Sequence, residues 1–297
     1  MMPSGLRPAP LALGALLVLG ASAAGPCAAR AGDPAAGRDA KAGHHLFRAT
    51  PDSLLRDLST DRPDLTESPY TVDAGHLQIE MDLLAYARDD AGSTRAESWG
   101  VVPINVKLGL TPSTDLQIIA ETHRRDRLTD LASGSRLKAS GVGDVTLRLK
   151  RNLWGNDGGA TAAALMPFVK LPTAADELGN GAVEAGLIAP LALALPSEFG
   201  LGIMGEVDWL EDGDGEGHHA EWIGTATVGR DLVGPLGGFL EIAAAARPSR
   251  EGEAIVTFDA GVTAALSANA QIDGGVLLGV SDAADDRAFF LGFSIRR

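Results

Sequence analysis

"TDRPDLTESPYTVDAGHLQIEMDLLAYARDD" (Thr60–Asp90) decides the fold, because it changes character half-way. The first half carries charges, two prolines and Tyr70, without a period. From Leu77 the chain alternates. Leu77, Ile79, Met81, Leu83 and Ala85 are apolar, and Gln78, Glu80, Asp82 and Tyr86 sit between most of them. Period two marks a strand with one apolar and one polar face. A soluble sandwich and a membrane barrel both produce such a strand, so the rest of the chain must choose.

The alternation continues to the C-terminus. "VPINVKLGL" sets Val102, Ile104, Val106 and Leu108 against Asn105 and Lys107. "TDLQIIAETHR" sets Leu116, Ile118 and Ala120 against Asp115, Gln117 and Glu121, and "GDVTLRLKRN" sets Val145, Leu147 and Leu149 against Thr146, Arg148 and Lys150. Further segments bring the total to about twelve, each near the ~10 residues that a tilted strand needs to cross a bilayer. The connections alternate in length. "RDDAGSTRAE", "RRDRLTDLASGSRLKASGVG", "PTAADELGNG", "EDGDGEGHH", "RPSREGE" and "SDAADDR" are long, while "TPST", "WGNDGG", "PSE", "VGPLG" and "SAN" between them are short. Tight periplasmic turns at one rim and longer external loops at the other are the pattern of outer-membrane barrels. The expected fold is all-β: a transmembrane antiparallel β-barrel of about 12 strands with an irregular N-terminal arm.

The expected organisation has three parts. Residues 1–31 read as a secretory signal peptide, with Arg7 before the apolar run "LALGALLVLG" and small residues after it. Cleavage fits after Ala23 or after Ala31. Pro26 argues against lipidation of Cys27, the only cysteine, so internal disulfides and thiolate zinc sites are excluded. Residues 32–76 read as a periplasmic arm, long enough to enter the lumen, and residues 77–297 as the barrel in the outer membrane. A formal net charge of −14 excludes a nucleic-acid role.

Charges on the strands fall opposite the aliphatic row: Glu80, Asp82, Lys107, Asp115, Glu121, Arg148, Lys150, Glu206, Asp208, Asp259 and Asp273. In a barrel that face is the lumen, and its acidic excess favours cations and neutral solutes over anions. Asp61, Arg62 and Asp64 of the arm are placed to plug the lumen by pairing with these charges. Trp99, Trp154, Trp209 and Trp222 lie near strand ends, where an aromatic belt sits, although aromatics make up only 5% of the chain. The chain ends in "FSIRR", which leaves Phe293 as the nearest aromatic for engaging the barrel-insertion machinery.

No catalytic residue, cofactor or metal site is expected. His218 and His219 lie beside Asp212, Asp214 and Glu216, a set able to hold a divalent cation loosely, but a solvated loop is the favoured reading. His123 has no nucleophile at a meaningful spacing. "GVGDV" and "LGNGAVEAG" open no helix after a strand, so they do not read as phosphate loops.

"TDRPDLTESPYTVDAGHLQIE", "GVGDVTLRLKRNLWG", "ALMPFVKLPTA", "LGNGAVEAGLIAPLAL" and "VGPLGGFLE" resemble motifs of a family of outer-membrane transporters named for the meta pathway of phenol degradation. The resemblance runs from about Thr60 to the C-terminus and departs chiefly in the non-aromatic last residues. It implies passage of small molecules, aromatic or hydrophobic compounds among them, through a barrel embedded in outer-membrane lipid, and carries over no catalytic residue. The functional expectation is a small-molecule channel. A closed structural or ligand-binding barrel is the alternative, and an outer-membrane enzyme a minor one.

Overall fold

The computed structural model describes residues 34–175, 178–212, 217–246 and 254–297. The signal-peptide reading, Cys27 included, lies outside them. After a short helix α1 (Pro34–Lys41) and an extended arm, thirteen strands follow: β1 (Leu77–Ala91), β2 (Thr94–Thr111), β3 (Thr114–Asp130), β4 (Arg136–Gly141), β5 (Val145–Trp154), β6 (Thr161–Leu171), β7 (Glu184–Ala194), β8 (Gly200–Glu211), β9 (His218–Val233), β10 (Leu236–Ala246), β11 (Ile255–Ser267), β12 (Ala270–Gly279) and β13 (Arg287–Arg296). All pairings between them are antiparallel, and β13 pairs with β1, with Gln78 opposite Arg296, which closes the wall.

One position in the wall is shared. Residues Thr114–Ala120 of β3 pair with β5, and Arg124–Thr129 pair with β4. β4 and β5 therefore lie end to end, and thirteen strands make a closed barrel of twelve. β6 continues the wall beside β5 only. At the level of β4 the next element is the loop after β6: Ala175 N–H donates to Val142 O at 2.9 Å, and Thr173 and Ala174 N–H both donate to Asp144 at 2.9 Å.

The distribution of side chains is the reverse of a soluble protein's. Arg148, Lys107 and Lys150 are the largest fully buried side chains, while Leu240 is 50% exposed, Ile242 53% and Val262 55%. β10 alternates without a break: Phe239, Glu241, Ala243 and Ala245 are buried, and Leu240, Ile242, Ala244 and Ala246 exposed. An exposed aliphatic face around a buried charged one is stable only where the surroundings are hydrocarbon. The protein is an outer-membrane β-barrel.

The lipid face of β1 ends in aromatics. Tyr86 packs on Trp99 (centroids 4.2 Å) and Phe289 (5.0 Å), and Trp154, Trp209 and Trp222 are exposed. Above this level the strands do not stop where the sequence suggests. "RDDAGSTRAE" is not a long loop but the paired ends of β1 and β2 around Gly92-Ser93, and "RRDRLTDLASGSRLKASGVG" contains the end of β3 and all of β4. Charges there break the apolar period but suit ladder partners. Arg127 stands directly opposite Glu97 and bonds it at 3.2 Å, as opposite charges on paired strands do.

Candidate functional site: the lumen and its arm

The inward face carries two kinds of surface. β1, β2, β3 and β5 contribute buried Gln78, Glu80, Asp82, Lys107, Asp115, Gln117, Arg148 and Lys150. β6 to β13 set apolar groups among further buried charges, with Glu206, Asp208, Glu241, Asp259 and Asp273 among them. Met166, Ile188 and Met204 cluster with Phe168 and Ile223, and Phe239, Leu277 and Phe290 cluster with Leu65 of the arm.

Thr60–Asp73 is bonded to these inward faces. Asp61 accepts from Lys107, from Lys150 at 2.5 Å and from Gln117 at 3.2 Å, and its own N–H donates to Glu80 at 2.8 Å. Lys107 also bonds Glu80 at 2.5 Å. Arg62 bridges Asp82 (2.5 Å) and Asp273 (2.9 Å) and lies 5.4 Å from the Phe290 ring centroid. Its guanidinium fills the space over Gly292, where an added Cβ would meet it at 2.0 Å. Glu67 pairs with Arg148 at 2.5 Å. Glu241 accepts from Leu65 N–H (2.6 Å), Thr66 N–H (2.8 Å) and the Thr66 hydroxyl (2.5 Å). Val72 N–H donates to Asp115 at 2.9 Å, and Asn152 donates to Pro69 O at 2.9 Å. A buried charge without a partner costs several kcal/mol, so each of these pairs ties the arm to one place in the lumen.

A second set of pairs holds the arm at the periplasmic rim. Asp73 bonds Lys41 (3.1 Å) and Arg56 (3.3 Å), and both bases also bond Asp157 (2.8 and 3.0 Å) in the turn after β5. Burial raises the Asp157 carboxyl, but Arg56 and Lys41 more than offset it and hold the group below the usual carboxylate range. Gly109 admits the arm closely: a Cβ there would stand 2.0 Å from Asp73 O.

Of the lumen residues named from the sequence, Glu80, Asp82, Lys107, Asp115, Arg148, Lys150, Glu206, Asp208, Asp259 and Asp273 are buried; Glu121 is half-buried, 4.0 Å from Arg124. The bases and several acids are consumed by pairs. Among the described residues, no Lys or Arg nitrogen lies within 4.0 Å of Glu206, Asp208, Glu241 or Asp259, so the unneutralised acid lies on β8, β10 and β11. Asp61 and Arg62 each bridge two charged residues of the wall; Asp64 is buried but forms no such pair. The sequence reading missed Glu241, although its place opposite Leu240 and Ile242 marks it. It also missed Glu67, Asp73, Arg56 and Lys41, which lie in stretches without a period. His219 bonds Asp212 at 2.8 Å and His218 stacks on Trp209, while Asp214 and Glu216 lie outside the described residues.

A family model described as "Putative MetA-pathway of phenol degradation" matches residues 60–296. The chain belongs to this family. The match begins at Thr60, so it takes in the lumen segment of the arm as well as the barrel. Among solved structures, an outer-membrane channel from Pseudomonas putida F1 superposes with a TM-score of 0.56 at 14% identity, covering 80% of this chain and 100% of that one. The NanC porin (TM-score 0.46, 10% identity, 74% and 98% covered) and the CymD monoaromatic hydrocarbon channel (0.41, 10%, 74% and 87%) are more distant. These structural neighbours are channels and porins. No curated protein sequence matches the chain significantly.

Proposed function

We propose that the protein is a channel for small molecules across the outer membrane, held closed here by residues 32–76 acting as a plug, and that it has no enzymatic role. One observation carries the reading: the charged lumen is occupied by a segment of the same chain that forms no strand pairing with the wall across Thr60–Asp73. Side-chain pairs hold that segment, and water or solute can replace them without opening the barrel. A structural barrel needs no removable filling. The family's name and the aromatic groups of the lumen, Phe168, Phe239 and Phe290, support small aromatic or hydrophobic solutes. Membrane lipid and the barrel-insertion machinery are the expected partners, with the signal peptide serving export.

Conductance in planar bilayers tests this. Deleting residues 32–70 should raise conductance well above that of the full chain, with a reversal potential favouring cations under a salt gradient. A deletion variant that inserts but conducts nothing points to a closed structural barrel, and clear anion selectivity means that the wrong residues have been assigned to the pore.

A further inference from the structure

The buried carboxylates divide into two groups. On the β1–β5 side Glu80 and Asp82 pair with Lys107 and Arg62, and Asp115 accepts from Val72 N–H and Gln117. On the opposite side, Asp64 of the arm faces a different environment: it is 2% exposed, and neither carboxylate oxygen meets a hydrogen-bond donor in proper geometry. Thr227, which lines the same cavity as Asp64, has its hydroxyl donating to Leu240 O at 3.4 Å. The charged neighbours of Asp64 are Glu241 and Glu67, both acidic. Asp259 stands directly opposite Glu241 on the next strand, with Oδ1 also lacking a donor. Water or a basic side chain normally satisfies such a group, and no basic side chain of the described residues does so here.

The cavity that Asp64 lines measures about 40 Å³, room for roughly three water molecules. The cavity lies between the arm and the wall of β7 to β10. Thr66, Tyr70, Ala192, Gly202 and Phe239 form its sides, and Gly159 and Gly200 at the periplasmic rim form its outer end. It therefore follows the side of the lumen on which the acids are unneutralised. Among the described residues, no three His, Cys, Asp or Glu side chains converge as a set of metal ligands. The walls are mostly apolar, with two aromatic rings, Tyr70 and Phe239, which suits a hydrocarbon group better than a hydrated metal ion. We propose that Asp64 is the anchoring carboxylate of a subsite for small organic ammonium ions, with the ammonium on Asp64 and its short hydrocarbon part against Phe239, Tyr70 and Ala192.

The proposal rests on the channel reading and narrows its solute class. Equilibrium binding separates the two, because it requires no conduction. The probes are ethylammonium, ethanol and formate, each of a size that the cavity admits, titrated into the detergent-solubilised full chain and followed by ligand-observed NMR. The ammonium ion should bind at least tenfold more tightly than the alcohol and the carboxylate. Asp64→Asn, nearly isosteric, should abolish that preference, and Asp64→Glu should keep it. Heat-dependent gel migration verifies that each variant remains a folded barrel. Equal binding of all three probes, or an ammonium preference that survives Asp64→Asn, overturns the assignment, as does binding of Ca²⁺ without binding of the ammonium ion. If the ammonium binds through Asp64 and the arm-deleted protein still conducts nothing, the site stands and the channel reading falls.

Discussion

Asp61→Asn is the sharpest perturbation of the plug. In the native chain the Asp61 carboxylate, fully buried, faces both Lys107 and Lys150, and those lysines are themselves 1% and 0% exposed. Asparagine keeps the shape and removes the charge, leaving Lys150 with no ion pair within 4.0 Å among the described residues. Breaking a buried pair by removing one partner costs about 3–5 kcal/mol. Lys107 retains Glu80 at 2.5 Å, which places the loss near the lower end. The penalty falls on the seated arm alone, because with the arm withdrawn the lumen fills with water and both lysines are solvated. At ~1.4 kcal/mol per tenfold, the ratio of withdrawn to seated arm should rise roughly 100-fold. Single-channel recording at neutral pH reads that ratio as the fraction of time spent conducting. Arg88→Ala, which removes a partly exposed pair with Asp90 above the membrane, should change it less than about fivefold. If Asp61→Asn conducts no more often than the native chain while deletion of residues 32–70 opens the pore, the buried pairs do not hold the plug.

Gly292→Ala should release Arg62 from Asp82 and Asp273 by filling its place, and open the channel in the same recordings, although no charge is altered. Leu240→Arg, at a position 50% exposed to lipid, should cost about 2–4 kcal/mol of barrel stability in bilayers, measured by reversible denaturant unfolding; an unchanged midpoint would contradict the face assignment. The Asp157 anchor should depend on acid. Its folded carboxyl titrates below the unfolded value of ~3.9, so its contribution is complete above that pH and is lost as pH falls through the lower folded value. Amide exchange at residues 70–73, corrected for intrinsic rate, should therefore be flat from pH 7 to 5 and rise below about pH 4; a rise already complete at pH 5 would assign the anchor to another group.

The wall of the barrel was legible because a bilayer imposes one rule on every strand, and period two reports that rule residue by residue. Lys107, Arg148 and Lys150 could be placed in the lumen from their neighbours alone. The rule stops at the membrane surface, which is why β4 and the upper ends of β1 to β3 were read as loops. The arm was harder. Arg62 and Asp61 were noticed as charges near a charged lumen, but their partners lie up to 211 residues away and follow from three-dimensional closure. Glu67 and Asp73 left no local trace. Nor could Asp64 be told from its neighbours: all three read as plug charges, and only the packed structure separates a neutralised carboxylate from an unsatisfied one.

The interrupted position formed by β4 and β5 also serves as a depth gauge. Backbone N–H and C=O groups left without ladder partners cannot face hydrocarbon, so the free edge of β4 must stand in water or among headgroups. Its pairing with β3 begins at Arg124, ten residues along from Thr114 at the periplasmic rim. At ~3.3 Å per residue and a tilt of ~40°, that is a height of ~25 Å, the thickness of the apolar band on such barrels. Trp99, opposite Arg125, marks the same level from the lipid side. The outer surface of the membrane therefore crosses the protein at Arg124–Arg125, and the paired ends of β2 and β3 beyond it are a mast standing ~15 Å into the cell's surroundings.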